Sequence, residues 1–190
     1  MRRIALVGDI GSGKTFISNL FRYPIFNADL VVSNLNKKDK FLFKKIKKKF
    51  PNKIGSFPMK KEELLEIIFQ KKKNLNILGK IIHPIVRKKM KIFIKTNKKK
   101  KIVVLDVPLF LENKLNIRKD TIVFIEAEKK KINQKLNKRK NINFKLINIL
   151  RKNQLSSRLK KKKSTYIIKN NFVRNTAQKH VKLILKKISK

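Results

Sequence analysis

The chain has 190 residues, with 53 Lys or Arg against 11 Asp or Glu and a formal net charge of +42. That length accommodates one α/β domain with an insertion, and the lack of cysteine excludes a disulfide framework or thiolate metal site, in keeping with a reducing, cytoplasmic setting. The charge admits a polyanionic partner, but the lysines form short runs scattered along the chain (Lys44-Lys45, Lys98–Lys101, Lys160–Lys163), read as helix ends and loops, with no interleaved aromatics of the base-stacking kind. Biased residue usage is therefore the preferred account, and no specific nucleic acid is expected.

In chain order, Met1-Arg2-Arg3 precedes an apolar run too short for a signal peptide. That run, Ile4-Ala5-Leu6-Val7, reads as a buried parallel strand leading into Gly8-Asp9-Ile10-Gly11-Ser12-Gly13-Lys14-Thr15. A helix from Thr15 to Phe21 is predicted by the spacing of Phe16, Leu20 and Phe21. Pro24-Ile25-Phe26 gives a short strand ending at Asn27-Ala28-Asp29. From about 31 to 101 the pattern is helical and lysine-rich, broken at Phe50-Pro51-Asn52 and Gly55–Pro58. Leu64 to Phe69 forms one apolar helix, and Val86, Met90, Phe93 and Ile94 mark another beyond His83-Pro84. Strands follow at Ile102–Asp106, Thr121–Ile125 and Tyr166–Ile168, with a basic helical segment before the last and a closing helix striped by Ala177, Val181, Ile184, Leu185 and Ile188. No apolar stretch approaches a membrane span, so no membrane association is expected.

Strands alternating with helical segments imply a parallel sheet flanked by helices, whose ligands bind beyond the carboxyl ends of the strands. The glycine-rich loop, Asp29, Asp106 and Asn170 fall there. The loop fits the phosphate-binding pattern G-x-x-x-x-G-K-[ST] in the strand–loop–helix context that gives the pattern meaning. Gly11 and Gly13 free the backbone so that amides, with Ser12 between them, converge on a phosphate. The helix start adds its positive dipole end. Lys14 supplies a mobile charge for the β- and γ-phosphates, the Thr15 hydroxyl is placed for Mg²⁺, and the Phe16 amide donates to the α-phosphate. Asp106, at a strand end, is the candidate carboxylate for the same ion. The loop therefore predicts a site for ATP with Mg²⁺.

Gly8–Thr15, Asn27-Ala28-Asp29, Leu64–Phe69, His83-Pro84, Val107-Pro108-Leu109-Phe110-Leu111-Glu112, Gln134 with Arg139, and Ile167-Ile168-Lys169-Asn170 occur in the order found in dephospho-CoA kinases. The chain resembles that family across essentially its whole length, and His-Pro followed by the V-P-L-x-x-E signature is far more specific than the loop alone. The resemblance implies a single P-loop kinase domain: a core at about 1–30, 102–127 and 164–190, a helical substrate-binding insertion at about 31–101, and a helical lid at about 128–163. It implies ATP-dependent phosphorylation of the ribose 3′-hydroxyl of dephospho-CoA, the last step of coenzyme A synthesis, by a cytoplasmic monomer or weak homo-oligomer.

The departures are Asp9 where the family usually has Gly, Asn27 for Asp, Lys61 near a usual Arg, Ser164-Thr165 for Ala-Asp, and no Gly soon after Asn170. Asp9 puts a negative charge beside a phosphate site, so its side chain must point away from it or toward the metal. By the resemblance, Asp29 takes or orients the 3′-hydroxyl proton, with a helix cap as its plainer role. Lys61 and His83 are substrate-binding candidates, His83 being equally well a structural cap before a helix. Arg139 and Arg151 are lid candidates for charge on the transferred phosphoryl group, whereas Arg158 reads as solvated. Glu112 completes the signature without a derivable role. Two alternatives stay open: another P-loop nucleotide or small-molecule kinase, and a basic RNA-binding P-loop protein, which only the charge supports.

Overall fold

The computed structural model describes residues 1–139 and 142–189; Lys140 and Asn141, inside the expected lid segment, and Lys190 lie outside them. The chain forms two compact units, Met1–Asn27 with Asn97–Lys190, and Ala28–Thr96.

The first unit is built on β1 (Arg2–Gly8), α1 (Lys14–Leu20), β2 (Ile25–Asn27), β3 (Ile102–Asp106), β4 (Thr121–Glu126), α6 (Lys129–Asn137), α7 (Phe144–Lys152), α8 (Ser157–Lys162), β5 (Tyr166–Lys169) and α9 (Arg174–Ile188). Its strands form one five-stranded sheet in the order β2-β3-β1-β4-β5, every neighbouring pair parallel. In β1, β3 and β4 the apolar runs are continuous rather than alternating because both faces are covered, whereas in the edge strand β5 Ile167 is exposed. On one face Ile4, Leu6, Val104, Val123 and Ile125 pack with Ile17 and Phe21 of α1 and with Ala177, Val181, Ile184 and Ile188 of α9. The alternate residues Ala5, Val7, Val103, Leu105 and Phe124 point the other way and are buried as well. Register places Leu6 of β1 opposite Asp106 of β3, and Asn27 of β2 opposite the same Asp106. The strand ends carrying the loop, Asn27 and Asp106 therefore lie side by side.

The second unit holds α2 (Ala28–Lys38), α3 (Lys40–Lys49), α4 (Lys61–Gln70) and α5 (Lys72–Thr96). Leu35, Leu42, Ile46, Ile67, Leu78 and Met90 supply its buried apolar side chains. Asp39 caps α3 by accepting from the Leu42 amide at 2.8 Å. Glu63 accepts from the amides of Gly55 (2.8 Å) and Lys60 (3.0 Å), tying the preceding loop to the start of α4. The buried Asn74 side chain donates to the Ile67 carbonyl at 2.7 Å, satisfying a group near the end of α4.

One expectation fails here. His83-Pro84 does not open a helix: α5 runs from Lys72 to Thr96 with Pro84 inside it. Proline removes one amide donor and normally costs about 3 kcal/mol within a helix. The apolar stripe on both sides of it, Leu78 before and Val86 and Met90 after, is buried and carries the helix through. His83 is therefore a mid-helix residue and caps nothing. Among the described residues, no helix is long and apolar enough to cross a membrane.

Candidate active site

The loop between β1 and α1 has the backbone its sequence requires. Gly11 and Gly13 sit at φ +87° and +90°, a region L-residues with side chains rarely adopt. Both are also spatially closed. A Cβ on Gly11 would lie 2.9 Å from Ile132 and 3.0 Å from Leu136 of α6, and one on Gly13 would lie 2.5 Å from Nδ2 of Asn170. Asn170, just past β5, is buried and holds the loop from below: its Nδ2 donates to the Ser12 carbonyl at 2.8 Å and its Oδ1 accepts from the Phe172 amide at 2.9 Å. Gly13 is the residue before α1, so the first amides of that helix open onto the loop without intrahelical partners. Lys14 folds over the loop, its Nζ donating to the carbonyls of Asp9 (2.9 Å) and Gly8 (3.1 Å).

Thr15 and Asp106 meet. The Thr15 hydroxyl donates to Asp106 Oδ2 at 2.7 Å, and the same oxygen accepts from Asn27 Nδ2 at 3.0 Å. Asp106 is buried, so its charge is oriented by these two donors. A hydroxyl and a carboxylate are the hard oxygen ligands a small divalent cation takes. Among the described residues no cluster of three or more His, Cys, Asp or Glu side chains could hold a metal alone. The donor set fits a cation that draws its remaining ligands from water and phosphate.

The Asp9 side chain turns to α8. Its Oδ2 accepts from Ser157 at 2.7 Å and its Oδ1 meets the Lys160 ammonium at 3.0 Å. Burial alone would raise the Asp9 pKa, but the bonds from Ser157 and Lys160, with the charges of Lys160 and Lys14, outweigh it and bring the value below that of an ordinary aspartate. Glu112 also has a partner that its sequence did not disclose: its Oε1 accepts from the Leu155 amide at 2.9 Å and lies 4.0 Å from Lys160. Lys160, in one of the lysine runs read as helix ends and loops, does lie in the last turn of α8 but is buried there.

The remaining candidates sit as follows. Phe16 is in the first turn of α1 with its ring exposed. Arg139 is exposed two residues past the end of α6, its amide bonded to the Leu136 carbonyl at 3.0 Å. Arg151, in the last turn of α7, reaches Asn133 of α6 at 3.4 Å, and Arg158 is exposed. Ile132 and Leu136 of α6 pack with Ile147 of α7 and with Ile10 of the loop, so this helical pair rests on the loop itself. Asp29, Lys61 and His83 are all exposed and belong to the second unit: Asp29 in the first turn of α2, Lys61 at the start of α4, and His83 inside α5. Although His83 is largely exposed, partial desolvation of its ring and the nearby Arg87 charge lower its pKa from the usual value. Phe172, two residues past Asn170, holds φ +66° and packs beside Ile132 and Leu136.

A parallel 2-3-1-4-5 sheet with this loop and a strand-end carboxylate bonded to the loop's threonine defines a P-loop kinase. A family model for dephospho-CoA kinase matches residues 2–175. The chain belongs to the dephospho-CoA kinase family. Over 76 residues it is 37% identical to a dephospho-CoA kinase of Coxiella burnetii, an alignment covering 37% of this chain and 38%, well under half, of that relative. Solved structures of a Thermus thermophilus protein (TM-score 0.78, 20% identity, 98% of this chain and 97% of that one) and of a Campylobacter jejuni dephospho-CoA kinase (0.66, 19%, 98% and 97%) share the fold.

Proposed function

We propose that the protein transfers the terminal phosphoryl group of ATP to the ribose 3′-hydroxyl of dephospho-CoA, giving coenzyme A and ADP. Within a family of ATP-using kinases, the observation that carries this reading is the cradle formed by Gly11–Thr15 with Asp106 hydrogen-bonded to Thr15 at 2.7 Å. ATP lies with its phosphates on the loop amides, and the Lys14 ammonium leaves the Asp9 and Gly8 carbonyls for the β- and γ-phosphates. Thr15 and Asp106 hold Mg²⁺, which when bound offsets phosphate charge. Asn27 keeps the Asp106 carboxylate aimed at that position.

The acceptor 3′-oxygen forms the new bond to the γ-phosphorus as the bond from that phosphorus to the bridging oxygen breaks, releasing ADP. Asp29 orients the hydroxyl and receives its proton. The transition state is loose, so placement matters more than basicity. Support for Asp29 comes from its exposed position in the first turn of α2, one residue beyond Ala28. Arg139 meets negative charge on the group in transit. In the helical unit, which we read as the substrate-binding insertion, Lys61 offers a cation to the substrate. His83 offers the substrate an imidazole hydrogen bond. The enzyme acts in the cytoplasm, as a monomer or weak homo-oligomer.

The test is ADP formation with Mg²⁺ and ATP against dephospho-CoA, AMP, CMP and shikimate in parallel. Turnover confined to dephospho-CoA is expected. Turnover with AMP, CMP or shikimate and none with dephospho-CoA would assign the protein to another small-molecule kinase.

A further inference from the structure

Among the described residues, the mechanism above leaves one buried cation unused. Lys160 of α8 is 2% exposed, a depth that lysine almost never reaches unless its charge is met. Its ammonium is 3.0 Å from Asp9 Oδ1 and 4.0 Å from Glu112 Oε1. Ser157, one turn earlier on α8, donates to the other Asp9 oxygen at 2.7 Å. Glu112 is fixed in turn by the Leu155 amide at 2.9 Å. One ammonium thus joins the second residue of the phosphate loop, the last residue of the Val107–Glu112 segment and the start of α8.

Asp9 meets two lysines through different atoms. Its side chain takes Lys160, while its backbone carbonyl accepts from Lys14 at 2.9 Å. A carboxylate next to a polyphosphate site repels the ligand and competes for the cation meant to bind it. Here that carboxylate is bonded at both oxygens to side chains of α8, Ser157 and Lys160. We propose that Lys160 is a positioning residue for phosphoryl transfer: it holds the Asp9 carboxylate clear of the cradle, leaving Lys14 to the nucleotide. This rests on the reading that ATP occupies the Gly8–Thr15 loop. It differs from a purely structural pair, which would fasten α8 to the loop with no effect on where Asp9's charge lies.

The experiment uses the full chain, Mg²⁺ATP binding by calorimetry, and steady-state kcat and KM for ATP. Lys160→Met is expected to weaken ATP binding by about tenfold or more with a smaller loss in kcat, since the interaction lost is with the ground state. Adding Asp9→Ala in the same chain removes the stray charge and returns ATP affinity to within about threefold of wild type. A double variant as weak as Lys160→Met overturns the proposal in favour of a structural pair, and wild-type affinity in Lys160→Met overturns it outright. Should Lys160→Met fail to fold, Ser157→Ala makes the same test from an exposed position. It should raise the Kd for ATP about two- to fivefold, an increase absent in the Asp9→Ala background; an unchanged Kd would overturn the proposal. Failure of the wild type to bind ATP would instead remove the reading of the loop on which all this depends.

Discussion

Asp106 Oδ2 receives both the Thr15 hydroxyl and the Asn27 amide, and this explains how an asparagine serves where the family usually has an aspartate. A second carboxylate beside Asp106 would repel it, whereas the Asn27 amide donates to it. The acidic pair flanking Ala28 is reduced to Asp29, which sharpens what substitution should do. Asp29→Asn keeps the size and one acceptor oxygen but loses the charge; Asp29→Ala loses both. Asn should retain more turnover than Ala, both well below wild type, with ATP binding nearly unchanged. Wild-type turnover in Asp29→Ala would return the residue to a helix-start role. Lys14→Ala should abolish transfer while leaving stability within about 0.5 kcal/mol, because a mobile charge at the loop surface contributes little to the core. Unfolding, or near-native turnover, would contradict its assignment.

At the scale of elements, the loop is held from two sides: α6 covers Gly11, and Asn170 after β5 closes on Gly13. The helical pair α6–α7 is the segment read as the lid, and Arg139 stands just past the end of α6. If its guanidinium acts only in the transition state, Arg139→Ala should lower kcat by about a hundredfold or more, with KM for ATP little changed. An effect confined to KM would mark a ground-state contact, and no effect would leave Arg139 a surface residue. Strands, loop and first helix were legible in the sequence because each carries a local signal: an unbroken apolar run, paired glycines, helical spacing. The passage of α5 through Pro84 was not, since the burial of Leu78, Val86 and Met90 that outweighs the proline is tertiary. Nor was the partnership of Asp9 with Lys160, 151 positions apart, for a lysine inside a lysine run has no local mark of burial. Glu112 was conspicuous as a motif residue, but its role depends on the Leu155 amide 43 positions away.

For the whole molecule, the charge of +42 takes on a different meaning once the few acids are located. Asp9, Asp39, Glu63, Asp106, Glu112 and Asp120 each accept a specific hydrogen bond within the fold. Acidic residues remain where the structure uses them, while lysine fills exposed positions such as Lys47–Lys49 of α3. Such an excess destabilises the compact state through self-repulsion, and salt with a Debye length of about 10 Å at 0.1 M screens it. Thermal stability should therefore rise from low to physiological salt, checked by the melting midpoint against KCl concentration. A flat or falling midpoint would contradict that account. RNA affinity should be sequence-blind and collapse over the same range.

The central claim is the transfer of phosphate to one hydroxyl of one acceptor. Its most direct test is phosphorus NMR of the product formed from dephospho-CoA, ATP and Mg²⁺ by the purified protein. The account predicts one new phosphomonoester on the ribose 3′-oxygen, in equal amount to the ADP released and lost in Lys14→Ala. A phosphomonoester at another position, or ADP formed without any new one, would contradict it.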